Sequence, residues 1–173
     1  MPAWTAYIGL GTNLGDRVKA LETAMERLGA LEGCRVKDVS SLYETSPVGL
    51  EGGPFLNLVA VMETNLEPGE LLERLLAVES AMGRIRLPGT IRSRVIDLDL
   101  LVHGDHIVEE KGLVLPHPRM LARRFVMEPL AELAPEMRIT PGGKTACEVA
   151  KELREKHPEQ EVVKLGKLEE GRV

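Results

Sequence analysis

Aromatic side chains are scarce in this chain. Its 173 residues include one tryptophan, two tyrosines and two phenylalanines, 3% of the whole. The core must therefore be mostly aliphatic, and the place of each ring needs a reason. Cysteine is nearly absent as well. Cys34 and Cys147 lie far apart without the close spacing of metal ligands, so they read as reduced thiols of a cytoplasmic protein. No stretch approaches the ~18 apolar residues of a membrane helix, and the N-terminus has no charged segment leading into an apolar run. There is no internal repeat and no low-complexity tract. The net charge of -5 argues against a general binder of nucleic acid or membrane surfaces.

What is present suits one domain spanning 1–173, with a core over about 4–150 and a tail over 157–173 that reads either as a last strand or as a segment packing only in an oligomer. Hydrophobic residues make up 43% of the chain, enough for a substantial core. Against the acidic background, Arg84, Arg86, Arg92 and Arg94 crowd into one short segment, and Arg119, Arg123 and Arg124 into another. A local basic cluster in an acidic protein suggests a small anionic ligand.

The stretch 92–101, Arg-Ser-Arg-Val-Ile-Asp-Leu-Asp-Leu-Leu, concentrates the chemistry. Read with period two, Ile96, Leu98, Leu100 and Val102 form an aliphatic face, and Val95, Asp97, Asp99 and Leu101 form the other. Two residues of strand rise separate the carboxylates by roughly 6.6 Å. Like charges at that spacing on a half-buried strand repel, and a divalent cation resolves the conflict. Two cations roughly 3.5–4 Å apart also fit such a pair. The plain alternative is an edge strand with both aspartates solvated. The flanking arginines favour the first reading, because arginine forks suit phosphate oxygens and carboxylates suit the magnesium that accompanies them.

The remaining signals place this strand in a fold. Residues 4–9 read as a first strand, followed by a glycine-rich turn at 9–15 and a helix to about Leu28, with Asn13 or Asp16 as cap. Glycines at that place invite a dinucleotide-binding reading, but the spacing is wrong and no βαβ repeat follows. Residues 35–43 and 55–64 read as strands, joined by a long loop at 44–54 of the kind that often carries function. Asn57 stands alone among apolar neighbours and needs partners, either structural ones or the edge of a heterocycle. Pro68 opens a second helix whose expected buried stripe is Leu72, Leu75, Leu76 and Met82, with Glu79 on that stripe. Val108 belongs to a return strand, and helices are expected over 128–135 and 144–156. The order through residue 102 is β-α-β-β-α-β: an α+β, ferredoxin-like core whose antiparallel sheet has its helices on one face, with C-terminal helical additions.

Several stretches are also specific as a set. They are Gly-Leu-Gly-Thr-Asn-Leu-Gly at 9–15, Ser-Ser-Leu-Tyr-Glu-Thr-Ser-Pro-Val-Gly at 40–49, Phe-Leu-Asn at 55–57, Glu79 with Gly-Arg-Ile-Arg at 83–86, Arg94-x-x-Asp-Leu-Asp, and Leu-Pro-His-Pro-Arg-Met-x-x-Arg-Arg-Phe-Val at 115–126 ahead of Pro-Leu-x-Glu-Leu-Ala-Pro. In this order, over about residues 5–150, they resemble the 6-hydroxymethyl-7,8-dihydropterin pyrophosphokinase family of folate biosynthesis. The resemblance implies transfer of pyrophosphate from ATP to the pterin's hydroxymethyl group, with release of AMP. It implies that Asp97 and Asp99 bind two Mg2+ ions, and that the pterin lies between Phe55 and Phe125 with Asn57 and the segment Thr45, Ser46, Pro47 and Val48 at its polar edge. Glu79, Arg84, Arg86, Arg94, His117 and Arg123 would surround ATP, with Arg84 and Arg94 as catalytic arginines and Asp99 also orienting the attacking hydroxyl. The partners implied are these small molecules, for a monomer or weak homo-oligomer.

The sequence departs from the family pattern at Ile91, Arg92 and Ser93, where the family usually carries Trp-Gly-Pro, and at Pro118, where some members have an aromatic residue. The first departure puts the closed geometry of the arginine loop in question, but not the metal strand. Two other readings remain: a different magnesium-dependent nucleotidyl- or phosphoryl-transfer enzyme on the same strand, and a ferredoxin-like ligand-binding or regulatory module with solvated aspartates.

Overall fold

The structure is a computed structural model, and it describes residues 3–46, 53–83, 95–139 and 142–168. Strand β1 (Trp4–Thr12) leads to helix α1 (Arg17–Gly29). Strands β2 (Cys34–Val39), β3 (Leu42–Thr45) and β4 (Phe55–Thr64) follow, then α2 (Pro68–Ala81) and β5 (Asp97–His103). Strands β6 (Val108–Glu110) and β7 (Leu113–Leu115) form a separate hairpin. Helices α3 (Arg124–Leu133) and α4 (Ala146–Lys156) and strand β8 (Val162–Gly166) complete the described chain.

The main sheet is antiparallel, in the order β5-β1-β4-β3-β8, with β2 also on β4. If β2 and β3 are taken as halves of one strand, this is the ferredoxin-like arrangement expected from the element order. The expected single strand over 35–43 is broken at Ser40 and Ser41. The Ser40 hydroxyl accepts the Val59 N–H at 2.9 Å, and Ser41 turns its N–H to Glu132 at 2.9 Å. Side-chain oxygens thus replace ladder bonds and offset the strand.

Helices pack on both faces of the sheet, not on one. Leu21, Ala24 and Leu28 of α1, with Leu71, Leu75 and Val78 of α2, meet Ile8, Leu58, Leu98 and Leu100 on the first face. Met127 and Leu130 of α3, with Ala146, Ala150 and Leu153 of α4, meet Val59 and Leu101 on the second. Asp16 caps α1 by accepting the Lys19 N–H at 3.1 Å. Pro68 lies in the first turn of α2, beside a capping box between Glu67 and Glu70.

Two expectations about side-chain phase are corrected. Leu76 is exposed and Leu72 half-buried, so the stripe of α2 runs through Leu71, Leu75 and Val78. The paired leucines at 71–72 and 75–76 satisfy either phase, and the burial of the preceding turn selects this one. Glu79, four residues after Leu75, is buried on it. On β5, a register shift between Tyr7 and Ile8 places an extra residue opposite β1, so Leu101 and Val102 both join the second cluster and Val102 leaves the face of Leu98 and Leu100.

Helix α3 begins at Arg124, not at 128, after a short 3-10 turn at Met120–Ala122. Pro129 lies inside it, opposite the Phe125 carbonyl that an N–H at that position would have met. The tail is not left over: β8 pairs with β3 and extends the sheet.

Candidate active site

The second face of the sheet is only partly covered by α3 and α4. Where it is open, the strands β5, β1 and β4 bring short side chains into line. Gly9 lies between Val59 and Asp99, and Gly11 between Asn57 and Asp97. Gly9 closes the expected strand, and Gly11 too belongs to β1, not to the turn before α1. The misreading has a clear cause, since glycine weakens a strand and ordinarily marks a turn. Here it strips the central strand of side chains and leaves a floor. A Cβ on Gly11 would stand 2.7 Å from the Asn57 amide oxygen.

Above this floor is a cavity of about 470 Å³. Asp97 and Asp99 line one side, Phe55, Asn57 and Thr45 another, and Arg123 and Phe125 a third. β4 aims Phe55 and Asn57 at alternate positions of the same face. Asn57 is 5% exposed, and its amide nitrogen donates to the Thr45 hydroxyl at 3.2 Å, which fixes the orientation of the amide. The Arg123 guanidinium lies over the Phe125 ring at 5.5 Å from its centroid, so one wall carries both a flat apolar surface and a cation. Ser46 also lines the cavity. Arg17 steadies both ends of the following loop, pairing with Glu44 at 2.9 Å and donating to the Pro54 carbonyl at 2.8 Å.

Glu79 does not line the cavity. It accepts the Leu98 N–H at 3.2 Å and so grips β5 between its two aspartates. His117 is near enough to Asp99 to feel its charge. Its backbone N–H bonds the Leu101 carbonyl at 2.9 Å, and its Nδ1 accepts the Arg119 N–H at 3.3 Å. Burial pushes this imidazole below its ordinary value; the Asp99 charge opposes that shift, and Arg123 and Arg119 add to it. Pro47, Val48, Arg84, Arg86 and Arg94, as well as the departure at Ile91, Arg92 and Ser93, lie outside the described residues.

Three features of the cavity escape the sequence reading: the glycine floor, the wall formed by Gln160, Glu161 and Val162, and the role of Arg124. Arg124 does not line the cavity. Its guanidinium reaches the carbonyls of His157 and Gln160 and the carboxylate of Glu128. Among the described residues no group of three or more His, Cys, Asp or Glu side chains gathers as a metal site; Asp97 and Asp99 line the cavity as a pair of carboxylates. That suits magnesium, which commonly takes one or two carboxylates together with substrate phosphates.

Paired carboxylates, a guanidinium and two aromatic rings line one cavity of an α+β sheet, a set that suits a charged group beside a flat molecule. Comparison with known proteins makes this specific. Residues 7–135 match the model of the family 7,8-dihydro-6-hydroxymethylpterin-pyrophosphokinase (HPPK), and the chain belongs to that family of ATP-dependent pyrophosphokinases of folate synthesis. It is 42% identical over 149 residues to the 2-amino-4-hydroxy-6-hydroxymethyldihydropteridine pyrophosphokinase of Methylorubrum extorquens, covering 86% of this chain and 92% of the relative. To the Bacillus subtilis protein of the same name it is 38% identical over 169 residues, covering 96% and 92%. The Schizosaccharomyces pombe folic acid synthesis protein fol1 is 41% identical over 135 residues, but the match spans only 18% of its length. Among solved structures, wild-type Plasmodium falciparum HPPK-DHPS superposes with a TM-score of 0.71 at 17% identity, over 91% of this chain and 45% of that one. At that identity the likeness supports the fold.

Proposed function

We propose that the cavity on the second sheet face is where this chain carries out its family's reaction. ATP gives its terminal pyrophosphate to the hydroxymethyl oxygen of 6-hydroxymethyl-7,8-dihydropterin: a bond forms from that oxygen to the β-phosphorus, the bond from that phosphorus to the oxygen bridging it to the α-phosphate breaks, AMP leaves with the bridging oxygen, and the hydroxyl proton is released. The observation that carries the assignment is the convergence of Asp97, Asp99, Asn57, Phe55 and Phe125 on one cavity from two strands and one helix.

The pterin ring lies against Phe55 and Phe125, and Asn57, oriented by Thr45, meets its polar edge together with the segment Thr45–Val48. Arg123 and His117 face the nucleotide, joined by Glu79, Arg84, Arg86 and Arg94 in the reading carried over from the family. Asp97 and Asp99 would hold two magnesium ions, which would supply positive charge where phosphate charge develops. Asp99 also orients the attacking hydroxyl. The chain's own contribution is alignment of acceptor and donor and fixed dipoles in a sheltered site. We take the chain as a single domain, in keeping with the return of β8 to the main sheet, and as a monomer or weak homo-oligomer of the cytoplasm. No described helix is long and apolar enough to cross a membrane.

The test is AMP release from ATP and magnesium, with and without the pterin, for wild type and Asp97→Ala. AMP that depends on the pterin and is lost in the variant supports the assignment. Pterin-dependent AMP that survives Asp97→Ala undamaged removes the metal strand from the mechanism.

A further inference from the structure

The wall at Gln160–Val162 lies beyond residues 7–135, which the family model matches. Its attachments reach to both sides of the cavity mouth. On the α3 side, the Gln160 carboxamide accepts the Arg124 backbone N–H at 3.1 Å and donates to the Ala122 carbonyl at 3.3 Å. The Arg124 guanidinium donates to the Gln160 carbonyl and, at 3.4 Å, to that of His157. Glu128 holds this arginine from one turn further along α3 at 3.5 Å. On the β3 side, the next residue, Glu161, accepts from the Ser46 hydroxyl at 3.2 Å, and Val162 pairs with Thr45. Residues 160–162 therefore tie the segment that bears Arg123 and Phe125 to the end of β3 that orients Asn57.

We propose that Arg124 and Gln160 are positioning residues that set the width of the slot receiving the flat acceptor. This inference rests on the functional reading above. Neither side chain needs to touch the reacting atoms. Each acts through Phe125 on one side and Thr45 with Ser46 on the other. A brace of this kind acts on the acceptor more than on the nucleotide: Asp97 and Asp99 stand on β5 at the opposite edge of the sheet from β8, and only Arg123 of the nucleotide side shares the braced segment.

The experiment uses the full chain. Binding of 6-hydroxymethylpterin and of magnesium with a non-hydrolysable ATP analogue is titrated for wild type, Gln160→Leu and Arg124→Met. Loss of one or two net hydrogen bonds predicts roughly tenfold weaker pterin binding in each variant, with a clearly smaller loss of nucleotide affinity. Equal loss of both affinities, or unchanged pterin affinity, overturns the brace. If Arg124→Met does not fold, Gln160→Leu decides alone, since it leaves the Arg124–Glu128 pair intact. A wild type that binds no pterin overturns the functional reading itself, and the brace with it, before any variant is made.

Discussion

Replacing Gly11 by alanine tests the floor of the cavity directly. The added Cβ would stand 2.7 Å from the Asn57 amide oxygen, inside the 3.0 Å below which real Cβ contacts essentially never fall. Asn57 is buried and tethered to Thr45, so relief requires either rotation of the amide and loss of its 3.2 Å bond or separation of β1 from β4. The lost bond costs about 1 kcal/mol and the overpacking ~1–3 kcal/mol, giving ~2–4 kcal/mol together. At ~2–4 °C per kcal/mol for a chain of this size, the midpoint of thermal unfolding should drop by about 4–16 °C. Displacement of Asn57 should also weaken pterin binding roughly tenfold or more, the equivalent of ~1.4 kcal/mol. Gly9→Ala is the control. Its Cβ meets the Leu101 side chain at 3.5 Å, an ordinary contact, so the change in stability should stay within ~0.5 kcal/mol. Unfolding of Gly11→Ala at the wild-type temperature, or equal damage from Gly9→Ala, would refute the steric account.

Other substitutions probe the supports around the cavity. Glu132→Ala removes the acceptor for the Tyr43 hydroxyl at 2.7 Å, for Ser41 and for Lys167, and should cost ~2–4 kcal/mol in urea denaturation. Burial raises the Glu132 carboxyl, but these donors outweigh it and hold the group below its ordinary 4.5. Its contribution is therefore complete above about pH 4.5 and fades as pH falls through the folded value, a slope that Glu132→Gln should flatten. His103 is fully buried against Trp4 and His106, and burial lowers its imidazole below 6.5. Protonation thus favours the unfolded chain, so wild-type stability should decline as pH drops from 6.5 through the folded value, and urea midpoints for His103→Asn should show a smaller decline. Glu79→Ala takes the acceptor from the Leu98 N–H and should weaken magnesium-dependent nucleotide binding, while Glu79→Gln, which keeps an oxygen there, should retain more of it. Equal binding by the two variants would mean that Glu79 does not position β5.

Patterns carried by neighbours along the chain were the legible ones. β4 announces itself by an apolar run interrupted at Asn57, and its expected limits, 55–64, are those of the structure. The paired aspartates, Asn57 and both phenylalanines could be singled out because each interrupts its surroundings or is rare, and all line one cavity. The phase of α2 was ambiguous because leucines occupy adjacent positions, and which row is buried depends on the packing of the sheet. The β5 register shift and the second helical layer depend on partners distant in sequence. So does the wall at Gln160–Val162: its bonds to Ala122, Arg124 and Ser46 leave no periodic signal.

The pairing of β3 with β8 also bears on how the molecule is made. Thr45 and Val162, well over a hundred residues apart in sequence, must meet before the last strand is in place. Such long-range closure is slow compared with forming α1 or α2. During synthesis the nascent chain can assemble β1 to β5 and their helical layer while the cavity still lacks one side. Capacity to hold the acceptor should then arrive late and abruptly, as 162–166 emerge, and binding by stalled chains of increasing length would time that step.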